Sequence, residues 1–190
     1  MHKTSYFVIN GITLYRIFAA PFLLVLIFNG NFDVFKWLLS FSFFTDLIDG
    51  YLARRYKVVS ILGTKLDSIG DDLTILCAII GLFVFRFDFI EGQIVELVFL
   101  FILYLIQTIL AVYKYHQITN YHTYLAKLSA ILQGVFFIFI FFNKNDFIFL
   151  FYFALSVTAI QIIEEILLTL YLSTWKANVK GLYWVLKEKN

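Results

Sequence analysis

Six apolar runs, each long enough to cross the hydrocarbon core of a bilayer, leave this chain one broad solution: a bundle of membrane-spanning helices. They fall at roughly 8–29, 34–54, 66–86, 93–113, 125–142 and 147–172, because about 20 apolar residues rising 1.5 Å each span the ~30 Å core. Polar breaks at 29–33, 54–65, 86–91, 114–124 and 143–146 separate them. Only 15% of the residues are charged, against about 25% in soluble domains, and the mean hydropathy is +0.86. The 190 residues leave no length for a separate soluble domain, so residues 1–190 are expected to form a single membrane domain. The first run contains Asn10 and Arg16 and no small-residue cleavage site follows it, so it is expected to remain as a helix. The one cysteine, Cys77, can form no intrachain disulfide, and a net charge of +2 gives no basis for nucleic-acid binding.

Six spans put both termini on one side. That side, with the second and fourth breaks, holds Lys3, Arg16, Arg54, Arg55, Lys57, Lys65, Lys114, Lys127, Lys176, Lys180, Lys187 and Lys189, leaving only Lys36, Arg86 and Lys144 opposite. The positive-inside rule therefore makes the termini cytoplasmic. After the last span, Trp175, Val179, Leu182, Tyr183 and Leu186 recur at helical spacing with Lys176, Lys180 and Lys187 off the stripe. This predicts an interfacial helix over Ser173–Asn190 on the cytoplasmic leaflet, the alternative being a frayed basic tail. The expected fold class is all-α: a polytopic membrane protein of six transmembrane helices with a cytoplasmic interfacial C-terminal helix.

Four carboxylates interrupt this apolar pattern. Asp46 and Asp49 lie three apart, and Asp67 and Asp71 four apart, so each pair shares one helix face. A carboxylate at the bilayer centre costs about 2.5–3.5 kcal/mol, so the cluster needs a compensating partner. Oxygen ligands of this kind suit Mg2+ or Mn2+ in a two-metal arrangement, in which paired cations clamp the attacking and leaving oxygens of a displacement at phosphorus. A hairpin of the second and third helices would bring the pairs together. The competing reading pairs the aspartates with Arg54, Arg55, Lys57 and Lys65 at the interface. Gly50 and Ala53 share the face of Asp46 and Asp49, and Gly63 lies four before Asp67. Small residues there admit either a ligand or a close-packed neighbouring helix.

The spacing D-x2-D-G-x2-A-R-x8-G-x3-D-x3-D, carried by Asp46, Asp49, Gly50, Ala53, Arg54, Gly63, Asp67 and Asp71, resembles the signature of the CDP-alcohol phosphatidyltransferase family at every fixed position. Asn10, Thr13, Arg16 and Pro21 resemble the start of the same family, most closely its phosphatidylglycerophosphate synthase branch. Lys127 and Gln133 are similar to that branch's fifth helix, where Ser129 stands in place of a second lysine. The resemblance implies an enzyme of phospholipid biosynthesis that transfers a phosphatidyl group from CDP-diacylglycerol to a small polar alcohol and releases CMP. It implies metal ligation by Asp46, Asp49, Asp67 and Asp71, with Asp71 as general base. It implies a cytidine diphosphate pocket formed by Asp49, Gly50, Ala53, Arg54, Gly63 and Asp67, and a homodimer; the positive-inside count has the active site facing the cytoplasm, in the cytoplasmic (inner) membrane. Glycerol 3-phosphate is the expected acceptor, with Lys127 and Arg16 as cations for its phosphate and Lys114, His116 and His122 as further candidates. Inositol phosphate, serine or phosphatidylglycerol are the alternatives. Glu164 and Glu165, inside the sixth span, are expected to pair with Lys127 or Arg16; unpaired, they would suit a cationic acceptor. A cation channel or transporter is a reading of another class, but it calls for carboxylates spread along a pore, often in repeated halves, whereas these cluster and no repeat is visible.

Overall fold

The computed structural model describes the backbone of residues 2–56, 61–117, 119, 121–143, 145, 147–176 and 179–189, and the side chains of 11, 14–46, 48, 66, 69–117, 119, 121–143, 145, 147–176 and 179–187. Among these residues there are eight helices and no strand: α1 (His2–Phe28), α2 (Phe32–Tyr56), α3 (Ile61–Phe85), α4 (Phe87–Glu91), α5 (Ile94–Tyr115), α6 (Tyr124–Phe142), α7 (Ile148–Tyr171) and α8 (Leu182–Lys189). Three of them, α5, α6 and α7, are both long and apolar enough to cross a membrane, and α1 carries the apolar stretch Leu14–Phe28. Large apolar side chains such as Phe18, Phe28, Trp37, Tyr113 and Phe149 stand exposed on the helices. An aqueous protein would not tolerate that much bare aromatic surface, whereas lipid chains solvate it. The chain is an integral membrane protein.

Two compact units divide it, Met1–Ile90 and Glu91–Asn190. In the first, α1 packs along both α2 and α3, while α2 and α3 meet over a much shorter stretch. The hairpin expected between the second and third helices is therefore mediated largely by the first. Leu23 and Ile27 of α1, Phe35 and Leu39 of α2, and Ala78 and Leu82 of α3 are buried. The turn from α1 to α2 closes on Gly30, whose φ of +69° suits glycine. Asn29, Gly30 and Asn31 donate to the carbonyls of Val25, Ile27 and Leu26 at 2.9–3.0 Å, satisfying the free end of α1. Beside that turn, near the C-terminal end of α3, a Cβ added to Gly81 would run into the ring of Phe35, which is fully buried. Gly81→Ala is expected to destabilise the unit by about 1–3 kcal/mol through overpacking, read as a lower Tm in detergent.

In the second unit α7 packs against both α5 and α6. Buried Ser129 and Thr158 share a hydrogen bond of 2.8 Å, and Gln133 Nε2 donates to both, at 3.1 and 2.8 Å. Such bonds hold helices together in lipid, where hydrophobic burial supplies no driving force. Thr123 caps α6 by accepting from the Ala126 amide at 3.1 Å. Lys114 donates to the Thr169 and Leu170 carbonyls, both at 2.9 Å, and the Tyr115 hydroxyl to that of Leu172 at 2.7 Å. The free carbonyls and negative end of α7 account for both contacts.

The C-terminal segment departs from expectation. Among the described residues of 173–190, helix forms over Leu182–Lys189 and not over 173–176 or 179–181. Val179 N donates to Tyr121 O at 3.0 Å and Tyr124 N to Lys180 O at 3.2 Å, so this stretch spends its backbone bonds on the segment before α6. Val179 is buried there with Tyr121 and Leu168, and burial pushes the Tyr121 phenol pKa up. Gly181, at φ +150°, then turns the chain into α8.

Candidate active site

The signature positions lie on two helices of the first unit: 46, 49, 50, 53 and 54 on α2, and 63, 67 and 71 on α3. The side chains of Asp49, Gly50, Ala53, Arg54, Gly63 and Asp67 lie outside the described residues, as do those of Asn10 and Thr13. Asp46 and Asp71, the first and last members of the signature, are described, and they meet.

They meet on Arg16. Its Nη1 donates to Asp46 Oδ1 at 2.6 Å and to Asp71 Oδ1 as well, so a single nitrogen from α1 joins a carboxylate of α2 to one of α3. The Arg16 side chain is fully buried, whereas Asp46 and Asp71 keep 30% and 39% of their side-chain surface open. A sealed cation is thus paired with two partly accessible carboxylates. Guanidinium stays protonated even when buried, and an unpaired charge there would cost several kcal/mol, so the pairing is obligatory. Gly70, which the sequence did not single out, makes room for it. A Cβ at that position would lie 3.5 Å from Arg16 Cβ and 3.6 Å from its Nε and Cζ, so any longer side chain would displace the arginine. The signal available in the sequence was a glycine immediately before the last aspartate.

Two hard carboxylate oxygens from separate helices converge on one point of positive charge, and oxygens of this kind are the donors that a divalent cation also prefers. Mg2+ or Mn2+ therefore fits this cluster chemically. Asp72, next along α3, is exposed.

In the second unit Lys127 is exposed on the first turn of α6, with its ammonium 5.5 Å from the centre of the Tyr124 ring. Lys114 is held at the end of α7, as described above. His116 ends α5 in a left-handed conformation at φ 55°, and His122 has φ 50°. Glu164 Oε1 accepts from the Leu182 amide at 3.0 Å and so caps α8. Its partner lies across the Gly181 turn, which helical periodicity does not anticipate. Glu165, buried, accepts from Gln161 Nε2 at 2.7 Å.

Comparison with known proteins gives a consistent result. The family model described as CDP-alcohol phosphatidyltransferase matches residues 7–171. A CDP-diacylglycerol–glycerol-3-phosphate 3-phosphatidyltransferase of Rickettsia bellii is 39% identical over 77 residues, which cover 38% of this chain and 42% of that protein. The enzyme of the same name from Rickettsia felis is 36% identical over 76 residues, again 38% of this chain and 42% of the relative. A fusion protein of Schizosaccharomyces pombe, cardiolipin synthase (CMP-forming) joined to a mitochondrial hydrolase, is 35% identical over 73 residues, 38% of this chain and 12% of that one. The matched stretch thus spans about two fifths of the length of the Rickettsia relatives. No solved structure matches the chain.

Proposed function

The chain belongs to the CDP-alcohol phosphatidyltransferase family, and on that premise we propose that it transfers a phosphatidyl group from CDP-diacylglycerol to glycerol 3-phosphate, releasing CMP. The observation that carries the reading is the meeting of Asp46 and Asp71, the two ends of the signature, at one cationic point. The Rickettsia relatives support the acceptor by their names. Inositol phosphate, serine or phosphatidylglycerol are the alternative acceptors.

Asp46, Asp49, Asp67 and Asp71 are the residues that would hold Mg2+ or Mn2+. Such ions neutralise charge on the phosphoryl oxygens and on the departing CMP. Asp71 is the general base: a carboxylate oxygen takes the proton of the acceptor hydroxyl as that oxygen bonds to the phosphorus bearing the diacylglycerol and the bond from that phosphorus to the CMP oxygen breaks. The small residues Gly50, Ala53 and Gly63, with Asp49, Arg54 and Asp67, form the pocket for the cytidine diphosphate group. Lys127 is the cation for the acceptor phosphate; Arg16, which was expected to share that task, is fully buried and committed to Asp46 and Asp71. The whole functions as one membrane domain over 1–190, a reading supported by the family match running through both compact units. It has six transmembrane helices, with α8 on the cytoplasmic leaflet and the site facing the cytoplasm, and forms a homodimer in the inner membrane.

The direct test is an acceptor panel: purified protein, labelled CDP-diacylglycerol and Mg2+ or Mn2+, with glycerol 3-phosphate, inositol phosphate, serine or phosphatidylglycerol, read by lipid chromatography. Phosphatidylglycerophosphate is the expected product, and a different lipid product reassigns the acceptor. Gly50→Leu is expected to raise the CDP-diacylglycerol KM or eliminate binding, while a stable variant with normal kinetics would reduce Gly50 to a packing residue. Lys127→Met is expected to raise the glycerol 3-phosphate KM about tenfold to a hundredfold with little change in CDP-diacylglycerol binding. A charge-assisted bond of this kind contributes roughly 1.5–3 kcal/mol to ground-state binding. An unchanged acceptor KM would point to an uncharged or cationic alcohol instead.

A further inference from the structure

We propose that Arg16 is a built-in competitor for the divalent metal, a fixed cation whose hold on Asp46 and Asp71 limits how tightly the carboxylate cluster binds its ions. The inference rests on the reading that these carboxylates take Mg2+ or Mn2+, and it concerns a residue outside the family signature.

Three observations carry it. Both carboxylates give the same oxygen, Oδ1, to the same nitrogen of Arg16, so the guanidinium stands where their negative charge is focused. The arginine is fully buried and permanently charged, while the carboxylates remain partly open. Finally, α2 and α3 touch each other over a short stretch but pack extensively on α1, and Arg16 of α1 bridges the two halves of the cluster. A metal approaching these carboxylates meets groups whose charge is already partly neutralised, and the guanidinium bonded to them. At the effective dielectric of a partly buried site, a unit charge about 4 Å away exerts a strong repulsion on an incoming cation. Arg16 thus performs two opposed tasks. It holds mutually repelling carboxylates of different helices together, and it weakens the metal that would otherwise do the same. A purely scaffolding residue would do only the first.

The two tasks separate in an experiment on the full-length protein in detergent. Mn2+ affinity is measured by electron paramagnetic resonance for the wild type, Arg16→Gln and Arg16→Lys, and Tm is measured in chelator and in saturating Mn2+. Glutamine keeps a hydrogen-bond donor and removes the charge. Arg16→Gln is expected to lower Tm in chelator, to tighten Mn2+ binding by about tenfold or more, and to gain more Tm from the metal than the wild type does. Arg16→Lys, which keeps the charge, is expected to bind Mn2+ much as the wild type does. If Arg16→Gln binds Mn2+ equally or more weakly while the wild type binds it well, the competition is refuted and the metal reading stands. If neither protein binds Mn2+, the metal reading falls and takes the inference with it. Should Arg16→Gln fail to fold under both conditions, the wild type still decides. With 15N-arginine labelling of its four arginines, Mg2+ is expected to accelerate exchange of the Arg16 guanidinium protons, assigned by their loss in Arg16→Lys. Unaltered exchange at saturating Mg2+ would overturn the proposal.

Discussion

Asp46→Asn is expected to give a folded, membrane-inserted protein with no measurable turnover, and Asp67→Asn the same. Metal binding needs the anionic oxygen, which the amide lacks, so the ions that would neutralise charge on the phosphoryl group and on CMP no longer assemble. The fold should survive at position 46 for a reason visible in the structure. The asparagine carbonyl can still accept from Arg16 Nη1, and Asp71 continues to neutralise the buried guanidinium. Removing a buried ion's last partner costs about 3–5 kcal/mol, but one carboxylate here remains, so a smaller loss of Tm is expected. Turnover by lipid chromatography, Tm and Mn2+ binding together check this outcome. Substantial activity in both asparagine variants would sink the two-metal reading.

Asp71→Asn is expected to slow the chemical step by about a hundredfold to ten-thousandfold, the usual contribution of a positioned general base. Binding of CDP-diacylglycerol with metal should survive better in this variant than in Asp67→Asn, because a base acts on the acceptor hydroxyl rather than on the nucleotide. Single-turnover rates and equilibrium binding separate the two effects. Equal loss of nucleotide binding in both variants would mean that Asp71 serves only as a ligand. Asp71 also shares Arg16 with Asp46, so its replacement is expected to shift the arginine towards α2 without leaving it unpaired.

Much of this was legible without coordinates because it depends on local properties. Whether a segment prefers lipid is a sum over its own residues. The apolar runs at 93–113, 125–142 and 147–172 correspond to α5, α6 and α7 with ends displaced by a few residues. The helical repeat likewise put Asp46 with Asp49 and Asp67 with Asp71 on common faces of α2 and α3. The break at 86–91, by contrast, folds into the short α4, too brief to show periodicity.

The sequence alone determined that this chain is helical and membrane-embedded and that it carries a specific pattern of acids, since hydropathy and spacing are properties of neighbouring residues. Only the tertiary structure decided which groups meet. Arg16 reaches Asp46 and Asp71 across separations of 30 and 55 residues, and no periodicity announces such a partner because it depends on which face of α1 turns towards α2 and α3. Glu164 capping α8, and residues 179–180 bonding back to 121–124 instead of extending a helix, are decisions of the same kind. In each case a polar group shielded from water had to find a partner, and the partner it found was set by packing between distant segments.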